Sequence, residues 1–149
     1  MSSADAKAST YVSGTPLVRK LGIKPDARLG LIGAPDGFDV TLGELPPGVR
    51  VVRRLGGPPF DVIVAFFVWR GELERRLGAL VGALDWAGGL WIAWPKRASG
   101  VPTDLTDNVV RDLGLATGLV DNKICAIDQV WSGQRLVYRL RDRPAANRA

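Results

Sequence analysis

Continuously apolar runs and stretches of helical periodicity alternate along the middle of the chain. Residues 61–68 and 88–94 are almost entirely apolar, as expected for strands that are covered on both faces of a parallel sheet. Between them, leucines recur at three- and four-residue intervals, which is the spacing of an amphipathic helix. The same spacing over residues 104–117 predicts a second helix, with Thr103 or Asp104 as its N-cap.

The flanking segments predict shorter elements on one side and a hairpin on the other. Residues 120–130 and 134–140 are extended in pattern, and the Ser132-Gly133 dipeptide between them is typical of a tight turn. Strand–helix alternation that ends in a hairpin predicts a single α/β domain of Rossmann-like type, with a mostly parallel, helix-flanked sheet and a final antiparallel β-hairpin. The remaining predicted elements are short helices over residues 15–22 and 37–44 and strands over residues 28–32 and 49–53.

Domain boundaries and location follow from the length and from the ends of the chain. The 149 residues are enough for one domain, which we place at residues 11–141, between flexible tails at residues 1–10 and 142–149. The first residues lack the apolar stretch of a signal peptide, and the longest apolar run is far shorter than the roughly 20 residues that cross a membrane. We therefore expect a cytoplasmic protein with no membrane partner.

The composition excludes several kinds of catalytic and metal site. The chain has no histidine, and therefore neither Ser-His-Asp nor Cys-His machinery nor a histidine metal ligand. Its single cysteine, Cys125, excludes an internal disulfide and cysteine-rich metal sites, and the apolar neighbours predict a buried, inert thiol. No pair of carboxylates stands out for general acid–base catalysis. We predict no catalytic residue and no metal ligand, and we favour a protein without chemistry of its own.

The net charge of +5 favours an anionic partner, but the scattered distribution of the basic residues argues against nucleic acid. Twenty basic residues oppose fifteen acidic ones, yet no run of basic residues is longer than two, whereas polyanion binding needs clustered charge. Arg135, Arg139 and Arg141 fall on one face of the last predicted strand, where we expect them to contact water or a partner. With Trp131 as a base-stacking side chain, this face is where nucleic acid would bind. The other four tryptophans are expected to pack in the core.

The segment after the second apolar strand is the leading candidate site. In an open parallel sheet, ligands bind beyond the carboxyl ends of the strands. Lys96, Arg97 and Ser99 follow such an end and precede the start of the second predicted helix, around Asp104 and Thr106. Because a helix N-terminus presents N–H groups and partial positive charge, this segment is suited to bind a phosphate or a carboxylate.

A second candidate site, with Asp36 and Gly37, lies in the loop after the first predicted strand, residues 28–32. In outline the layout is similar to a shortened S-adenosylmethionine-dependent methyltransferase core, and such enzymes have a glycine-rich loop at this place. Here only Gly33 and Gly37 occur, with Pro35 between them, and the next strand ends in Arg53 instead of a ribose-binding acid. These departures argue against an ordinary methyltransferase or NAD enzyme, although an arginine there suits the phosphate of NADP.

Five segments of the chain are distinctive when taken together: YVSGTPL (residues 11–17), APDGF (34–38), LWIAWPKRASGV (90–101), TDLT (103–106) and WSG (131–133). They resemble a family of small bacterial proteins filed as a domain of unknown function. The resemblance extends over residues 11–141 and implies that the single domain is the functional unit. It implies no activity, cofactor or catalytic residue.

Three functional hypotheses follow. The first is a non-catalytic binding module for a small anionic ligand or a protein partner. The alternative is a divergent S-adenosylmethionine-dependent methyltransferase, because methyl transfer depends chiefly on the positioning of two substrates. The third is nucleic-acid binding through the arginine-rich hairpin, with an affinity that falls steeply with salt. S-adenosylmethionine and a phosphate-bearing ligand are both compatible as cofactors, and the oligomeric state stays open.

Overall fold

One six-stranded sheet organises the residues that the structure describes. The structure is a computed structural model that describes residues 15–144, so the predicted tail at residues 1–10 and the last five residues of the chain lie outside it. The elements are α1 (Leu17–Lys20), β1 (Arg28–Ile32), α2 (Phe38–Leu42), β2 (Arg50–Val52), β3 (Phe60–Phe66), α3 (Arg70–Ala83), β4 (Leu84–Pro95), a 3₁₀ turn (Arg97–Ser99), α4 (Asp107–Ala116), β5 (Leu119–Ala126), β6 (Trp131–Tyr138) and a second 3₁₀ turn (Leu140–Asp142).

The sheet topology is the predicted Rossmann-like one. The strand order is β2-β1-β3-β4-β6-β5, in which the first four strands are parallel and β6 is antiparallel to both β4 and β5. After β2 the chain crosses to the other side of β1, so the strand order reverses between β1 and β3. In sheets of this type, ligands bind beyond the carboxyl ends of the strands. Within residues 15–144 no helix is long and apolar enough to cross a membrane.

Both faces of the sheet are buried at the central strands β3 and β4, which explains their continuously apolar sequences. On one face, α3 and α4 pack against the sheet, and Leu73, Leu77 and Leu80 are the buried leucines whose spacing predicted α3. On the other face, under α1 and α2, the ring of Trp91 is fully buried. Its Nε1 donates a hydrogen bond to the Leu21 carbonyl at 3.0 Å, so the single polar atom of this core ring is satisfied.

The connection between β5 and β6 differs from the prediction. It lies at residues 127–130, where Asp128 Oδ1 accepts hydrogen bonds from the backbone N–H groups two and three residues later, both at 2.8 Å. Ser132 and Gly133, predicted to form the turn, lie inside β6. A Cβ atom at Gly133 would lie 2.8 Å from Ile127 Cδ1, so this glycine permits close packing and does not form a turn.

Two element boundaries were also predicted wrongly. The second long helix, α4, begins at Asp107, and its N-cap is Thr106, whose hydroxyl accepts a hydrogen bond from the Val109 N–H at 3.2 Å. Thr103 and Asp104, the predicted caps, precede this position and have other partners. The central strand β4 begins four residues before the predicted position, directly at the end of α3.

Two of the four tryptophans expected in the core lie at the surface. Trp91 and Trp94 are buried, but 47% of Trp69 and 38% of Trp86 are exposed. The Trp86 ring packs on the ring of Tyr138, with a centroid distance of 4.4 Å. The expected burial of Trp69 and Trp86 was wrong, because both residues flank the ends of α3 and lie outside its apolar face.

Candidate ligand-binding cleft

A cleft of about 460 Å³ opens beyond the carboxyl end of β4. It lies between the loop of residues 95–104, the first turn of α4 and strands β5 and β6, and its volume is within the roughly 300–1,000 Å³ that is typical of small-molecule sites. The lining residues are Trp94, Pro95, Lys96, Arg97, Gly100, Val101, Pro102, Thr103, Leu105, Thr106, Asp107, Ile124 and Ser132.

The structure brings two of the predicted site residues, Lys96 and Arg97, into the cleft as cations without an acidic partner. Within residues 15–144, no carboxylate oxygen lies within 4.0 Å of the charged nitrogens of either side chain. Lys96 is half-buried and Arg97 is exposed. The lining also includes the carboxylate of Asp107, so the formal charge of the cleft is +1. The cleft therefore favours a ligand that carries negative charge.

Ser99 shapes the loop that carries these cations. Beyond β4 the chain forms the 3₁₀ turn Arg97–Ser99, which ends at Gly100 with φ +78°. The Ser99 hydroxyl donates a hydrogen bond to the Lys96 carbonyl at 2.7 Å and accepts one from the Val101 N–H at 3.2 Å. Both hydrogen bonds are internal to the loop, and Ser99 is not among the residues that line the cleft.

Asp104 and Thr103 connect the same loop to the start of α3. Asp104 Oδ1 accepts a hydrogen bond from the Arg70 N–H, the first N–H group of α3, at 2.7 Å. The Thr103 hydroxyl donates to the Val68 carbonyl and accepts from the Leu105 N–H at 3.1 Å. The predicted contact residue Asp104 thus has a structural partner outside the cleft, whereas Thr103 also lines the cleft.

The N-terminus of α4 is less available to an anion than the sequence suggested. Thr106 lines the cleft as predicted, but its hydroxyl already accepts from the Val109 N–H. Asp107 Oδ1 accepts from the Asn108 N–H at 2.8 Å, and the carboxylate itself occupies the first turn. Two of the N–H groups that the sequence predicted to be free are therefore satisfied by side chains, and Lys96 and Arg97 remain the main attraction for an anion.

Two lining residues come from the hairpin and were missed in the sequence. Ser132 of β6 pairs with Trp94 of β4, and this register places it beside the cleft. Ile124 of β5 lines the cleft with 57% of its surface exposed. Only the pairing of β6 with both β4 and β5 brings them close to Lys96, and no local motif predicts that pairing. Arg111 lines a separate pocket that shares Asp107 and Ile124 with the cleft.

The crevice between β1 and β3 contains the second pair of predicted site residues. Asp36 and Gly37 are exposed in the loop after β1, and Gly37, with φ +84°, is the N-cap of α2, a helix of five residues. Beyond β2, Arg53 donates from one nitrogen to both carboxylate oxygens of Asp39, at 2.8 and 3.0 Å. The arginine that the sequence offered as a phosphate ligand is therefore already paired with an acid of the same domain.

Aromatic rings pack together along the carboxyl edge beside this crevice. Phe66, the last residue of β3, has edge-to-face contacts with Phe38 at 4.9 Å and with Trp131 at 5.1 Å between ring centroids. Trp131 is half-buried and belongs to the cluster under α1 and α2. Its ring is therefore part of the core packing, which leaves little of it for stacking on a nucleic-acid base.

The prediction that Arg135, Arg139 and Arg141 share one face of the last strand is wrong, because β6 ends at Tyr138 and Arg139 and Arg141 follow it. Arg135 and Cys125 are half-buried. The Arg135 side chain lies over the backbone of Gly89, where a Cβ atom would be 2.4 Å from its Nε. Burial and, to a smaller extent, the charge of Arg143 lower the pKa of Arg135. Burial raises the pKa of the Cys125 thiol, and the charges of Lys20 and Lys123 offset only part of that effect. A raised pKa agrees with the predicted inert thiol.

Several solved structures to which the chain is similar are methyltransferases. No protein-family model and no curated protein matches the chain. An S-adenosylmethionine-dependent methyltransferase from Aquifex aeolicus is 14% identical, with a TM-score of 0.59 over 88% of this chain and 96% of that one. The magnesium protoporphyrin IX methyltransferase of Synechocystis is 10% identical, with a TM-score of 0.60 over 91% and 80% of the two chains. A precorrin-6y C5,15-methyltransferase from Geobacter metallireducens is 12% identical, with a TM-score of 0.58 over 83% and 86%.

At these identities the similarity shows the fold, which is that of the S-adenosylmethionine-dependent methyltransferases. It confirms the predicted likeness of layout, including the antiparallel strands at the end of the sheet. Fold alone does not carry an activity, because one fold supports many functions through different sites. The resemblance to a family of small bacterial proteins stays a prediction.

Proposed function

We propose that this methyltransferase-type domain is a binding module without chemistry of its own, and that its ligand is a small organic anion held in the cleft beyond β4. The observation that carries the proposal is the pair Lys96 and Arg97, which line the cleft and have no carboxylate partner among residues 15–144. Charge-assisted hydrogen bonds from such groups to a phosphate or carboxylate are about twice as strong as neutral ones.

The walls of the cleft favour an anion with an apolar part. Val101 and Ile124, which are 40% and 57% exposed, supply apolar surface beside the cations. Every square ångström of apolar surface that the ligand and these walls bury contributes about 25 cal/mol. Inorganic phosphate gains nothing from this surface, so an acyl or aryl phosphate or carboxylate is expected to bind more tightly than the bare anion.

The residues at the cleft support binding better than catalysis. Asp107 is the one carboxylate among the lining residues of the described chain, and its Oδ1 is engaged with the Asn108 N–H. The sequence has no histidine, so the cleft has neither a carboxylate pair nor a carboxylate–histidine pair for general acid–base catalysis. The same groups are sufficient to orient a ligand for recognition.

A thermal-shift panel with three variants tests the proposal. The ligands are acyl-coenzyme A esters, nucleotides, aryl phosphates, aliphatic carboxylates and inorganic phosphate. A ligand at 100 times its Kd adds about 2.7 kcal/mol, and each kcal/mol raises the Tm of a domain of this size by roughly 2–4 °C. We expect an organic anion to raise the Tm of the wild type and of Lys24→Ala, a control at an exposed lysine before β1, and to have no effect on Lys96→Ala or Arg97→Ala.

Either of two results would overturn the assignment. A shift that survives in Lys96→Ala and Arg97→Ala would place the ligand elsewhere. No shift across the panel would remove the small-molecule hypothesis and leave a protein partner, which affinity capture with the wild type and Lys96→Ala as baits would then test.

The fold favours a second candidate function, the binding of S-adenosylmethionine in the crevice between β1 and β3. One residue at the crevice, Arg53, does not suit this cofactor. Arg53 occupies the position where an acid would bind the ribose hydroxyls, and it engages both oxygens of the nearby Asp39. We expect calorimetry to detect no binding at millimolar S-adenosylmethionine, whereas a micromolar Kd would establish the second candidate in place of the first.

A further inference from the structure

A second pocket, beside the first turns of α4, combines charges of both signs. It has a volume of about 350 Å³ and is lined by residues of α4, β5 and β6. Arg111 and Lys123 contribute two cations, and Asp107 and Asp121 contribute two carboxylates. The formal charge of the lining is therefore zero, although the pocket is strongly polar. The anion-binding cleft beyond β4, in contrast, has an excess of cations.

One residue that lines this pocket, Gln134, has a buried side-chain oxygen without a partner among residues 15–144. Gln134 of β6 lines it and is only 4% exposed. Its Nε2 donates a hydrogen bond to the Asp107 carbonyl at 3.1 Å, which fixes the orientation of the amide. Its Oε1 is buried and has no hydrogen-bond partner among the described residues. A buried acceptor that is left unpaired is costly, so a donor from a ligand would satisfy a group that the protein itself leaves open.

A β-bulge brings the charged residues of β5 to the same pocket. The register of β5 against β6 shifts between Asp121 and Lys123, so Asn122 is the extra residue. Four consecutive strand residues, 121–124, therefore line one pocket, which regular alternation does not allow. Within residues 15–144, neither Asp121 nor Lys123 has an ion pair, and Arg111 has only a contact of 4.0 Å with the neighbouring Asp112.

We propose that this pocket binds the ammonium and carboxylate groups of a free α-amino acid. The ammonium group donates to Gln134 Oε1 and faces the carboxylate of Asp121, and the carboxylate group accepts from Arg111 and Lys123. A lining of zero net charge with separate cations and anions matches a zwitterion, whereas a pure anion or a pure cation meets groups of its own sign. The proposal does not depend on a ligand in the cleft beyond β4.

The first test uses the whole chain and the protein amino acids as probes. Each amino acid is titrated to about 10 mM while ¹H–¹⁵N correlation spectra are recorded, a concentration that detects millimolar Kd values. We expect at least one amino acid to shift the backbone signals of Asn122 and Gln134. Acetate and methylammonium, which each carry one of the two charges, should bind at least tenfold more weakly. The proposal is wrong if no amino acid shifts these signals, or if acetate or methylammonium binds as tightly.

Substitutions then separate a binding role of Gln134 from a structural one. Gln134→Met removes the unpaired oxygen together with the Nε2 donor, so we expect a Tm no lower than that of the wild type but amino-acid binding at least tenfold weaker. Gln129→Met makes the same change at an exposed glutamine of the β5–β6 connection and should leave both quantities unchanged. If Gln134→Met is unstable, Arg111→Gln at an exposed helical position replaces it as the test. Wild-type affinity in the variant tested refutes the proposal.

Discussion

The clearest test of the fold at the hairpin is the replacement of Gly133 by alanine. Gly133 was predicted to be a turn residue, and in the structure it lies in β6, between two core side chains. A Cβ atom there would be 2.8 Å from Ile127 Cδ1 and 3.2 Å from Trp91 Cε3, well inside the roughly 3.5–4.0 Å of a normal carbon contact. The hydrogen bond from Trp91 Nε1 to the Leu21 carbonyl restricts movement of the ring, so Ile127 has to give way.

The expected magnitude follows from two opposing effects. Overpacking a filled core costs typically 1–3 kcal/mol, and alanine recovers about 0.4–1 kcal/mol because it restricts the unfolded chain. With values in the middle of these ranges, Gly133→Ala should lower the free energy of unfolding by about 1.3 kcal/mol, which lowers the Tm by roughly 3–5 °C. Gly78→Ala is the matched control, since Gly78 is an exposed residue inside α3 with no atom within 4 Å of its added Cβ. This variant should gain about 0.8–1.0 kcal/mol.

Urea unfolding followed by circular dichroism measures both changes under identical conditions. If core contacts are the cause, the same glycine-to-alanine change should lower the free energy of unfolding at Gly133 and raise it at Gly78. If Gly133→Ala is as stable as the wild type or more stable, Gly133 is not packed between Ile127 and Trp91, and the placement of the β5–β6 connection is wrong. If Gly78→Ala is destabilised as well, a general cost of replacing glycine would explain both variants without any role for the core contacts.

Three further predictions concern single side chains. Asp104→Ala removes the carboxylate that accepts from the Arg70 N–H at 2.7 Å and should cost about 0.5–2 kcal/mol in urea unfolding, whereas Asp104→Asn should cost less than half of that. Burial raises the pKa of Tyr138, whose hydroxyl donates to the Val81 carbonyl at 2.7 Å. The stability that the neutral hydroxyl contributes is complete below the unfolded pKa near 10 and is lost as pH rises through the folded pKa. The free energy of unfolding should therefore fall more steeply above pH 10 in the wild type than in Tyr138→Phe. Because burial also raises the pKa of Cys125, iodoacetamide at neutral pH should alkylate it more slowly than free cysteine, and an equal rate would contradict its half-buried position.

The elements that the sequence predicted well are those whose pattern reflects burial directly. The continuous apolar run after residue 60 became β3, because a strand covered by helices on both sides has no polar face. Leu73, Leu77 and Leu80 predicted α3, because they form the single face of that helix that meets the sheet. These patterns depend only on the geometry of one element, so they can be recognised locally. The α/β class follows from their alternation.

The predictions from the sequence were wrong where a residue contacts a partner that is far away along the chain. Thr103 and Asp104 have side chains typical of helix caps, but neither caps α4. Asp104 accepts from the first N–H group of α3, and Thr103 donates to the Val68 carbonyl just before that helix. Gly133 has the local chemistry of a turn, but its small size is required by a strand contact with Trp91. Local propensity cannot separate these roles, because the partners are fixed by sheet pairing.

The candidate site, like the fold, could be predicted only in part from the sequence. Lys96 and Arg97 could be proposed because they follow a buried strand whose carboxyl end is the usual place for a ligand. Ile124 and Gln134 could not, because an isoleucine and a glutamine in extended segments have no distinctive chemistry. Their role depends on the pairing of β6 with β4 and β5 and on the bulge in β5. The part of the site contributed by the hairpin therefore becomes visible only in the tertiary structure.

Where an anion binds along the carboxyl edge depends on which cations are already neutralised. An anion at Arg53 has to displace Asp39, a pair whose side chains are 55% and 70% exposed. Exposed ion pairs are worth about 0.2–1 kcal/mol, so this exchange weakens binding roughly 1.4- to 5-fold relative to an unpaired arginine. Lys96 and Arg97 require no such exchange, and the apolar walls beside them add a contribution that grows with the ligand. The removal of Asp39 should therefore increase anion binding at Arg53 by no more than about fivefold, while binding in the cleft beyond β4 stays unchanged.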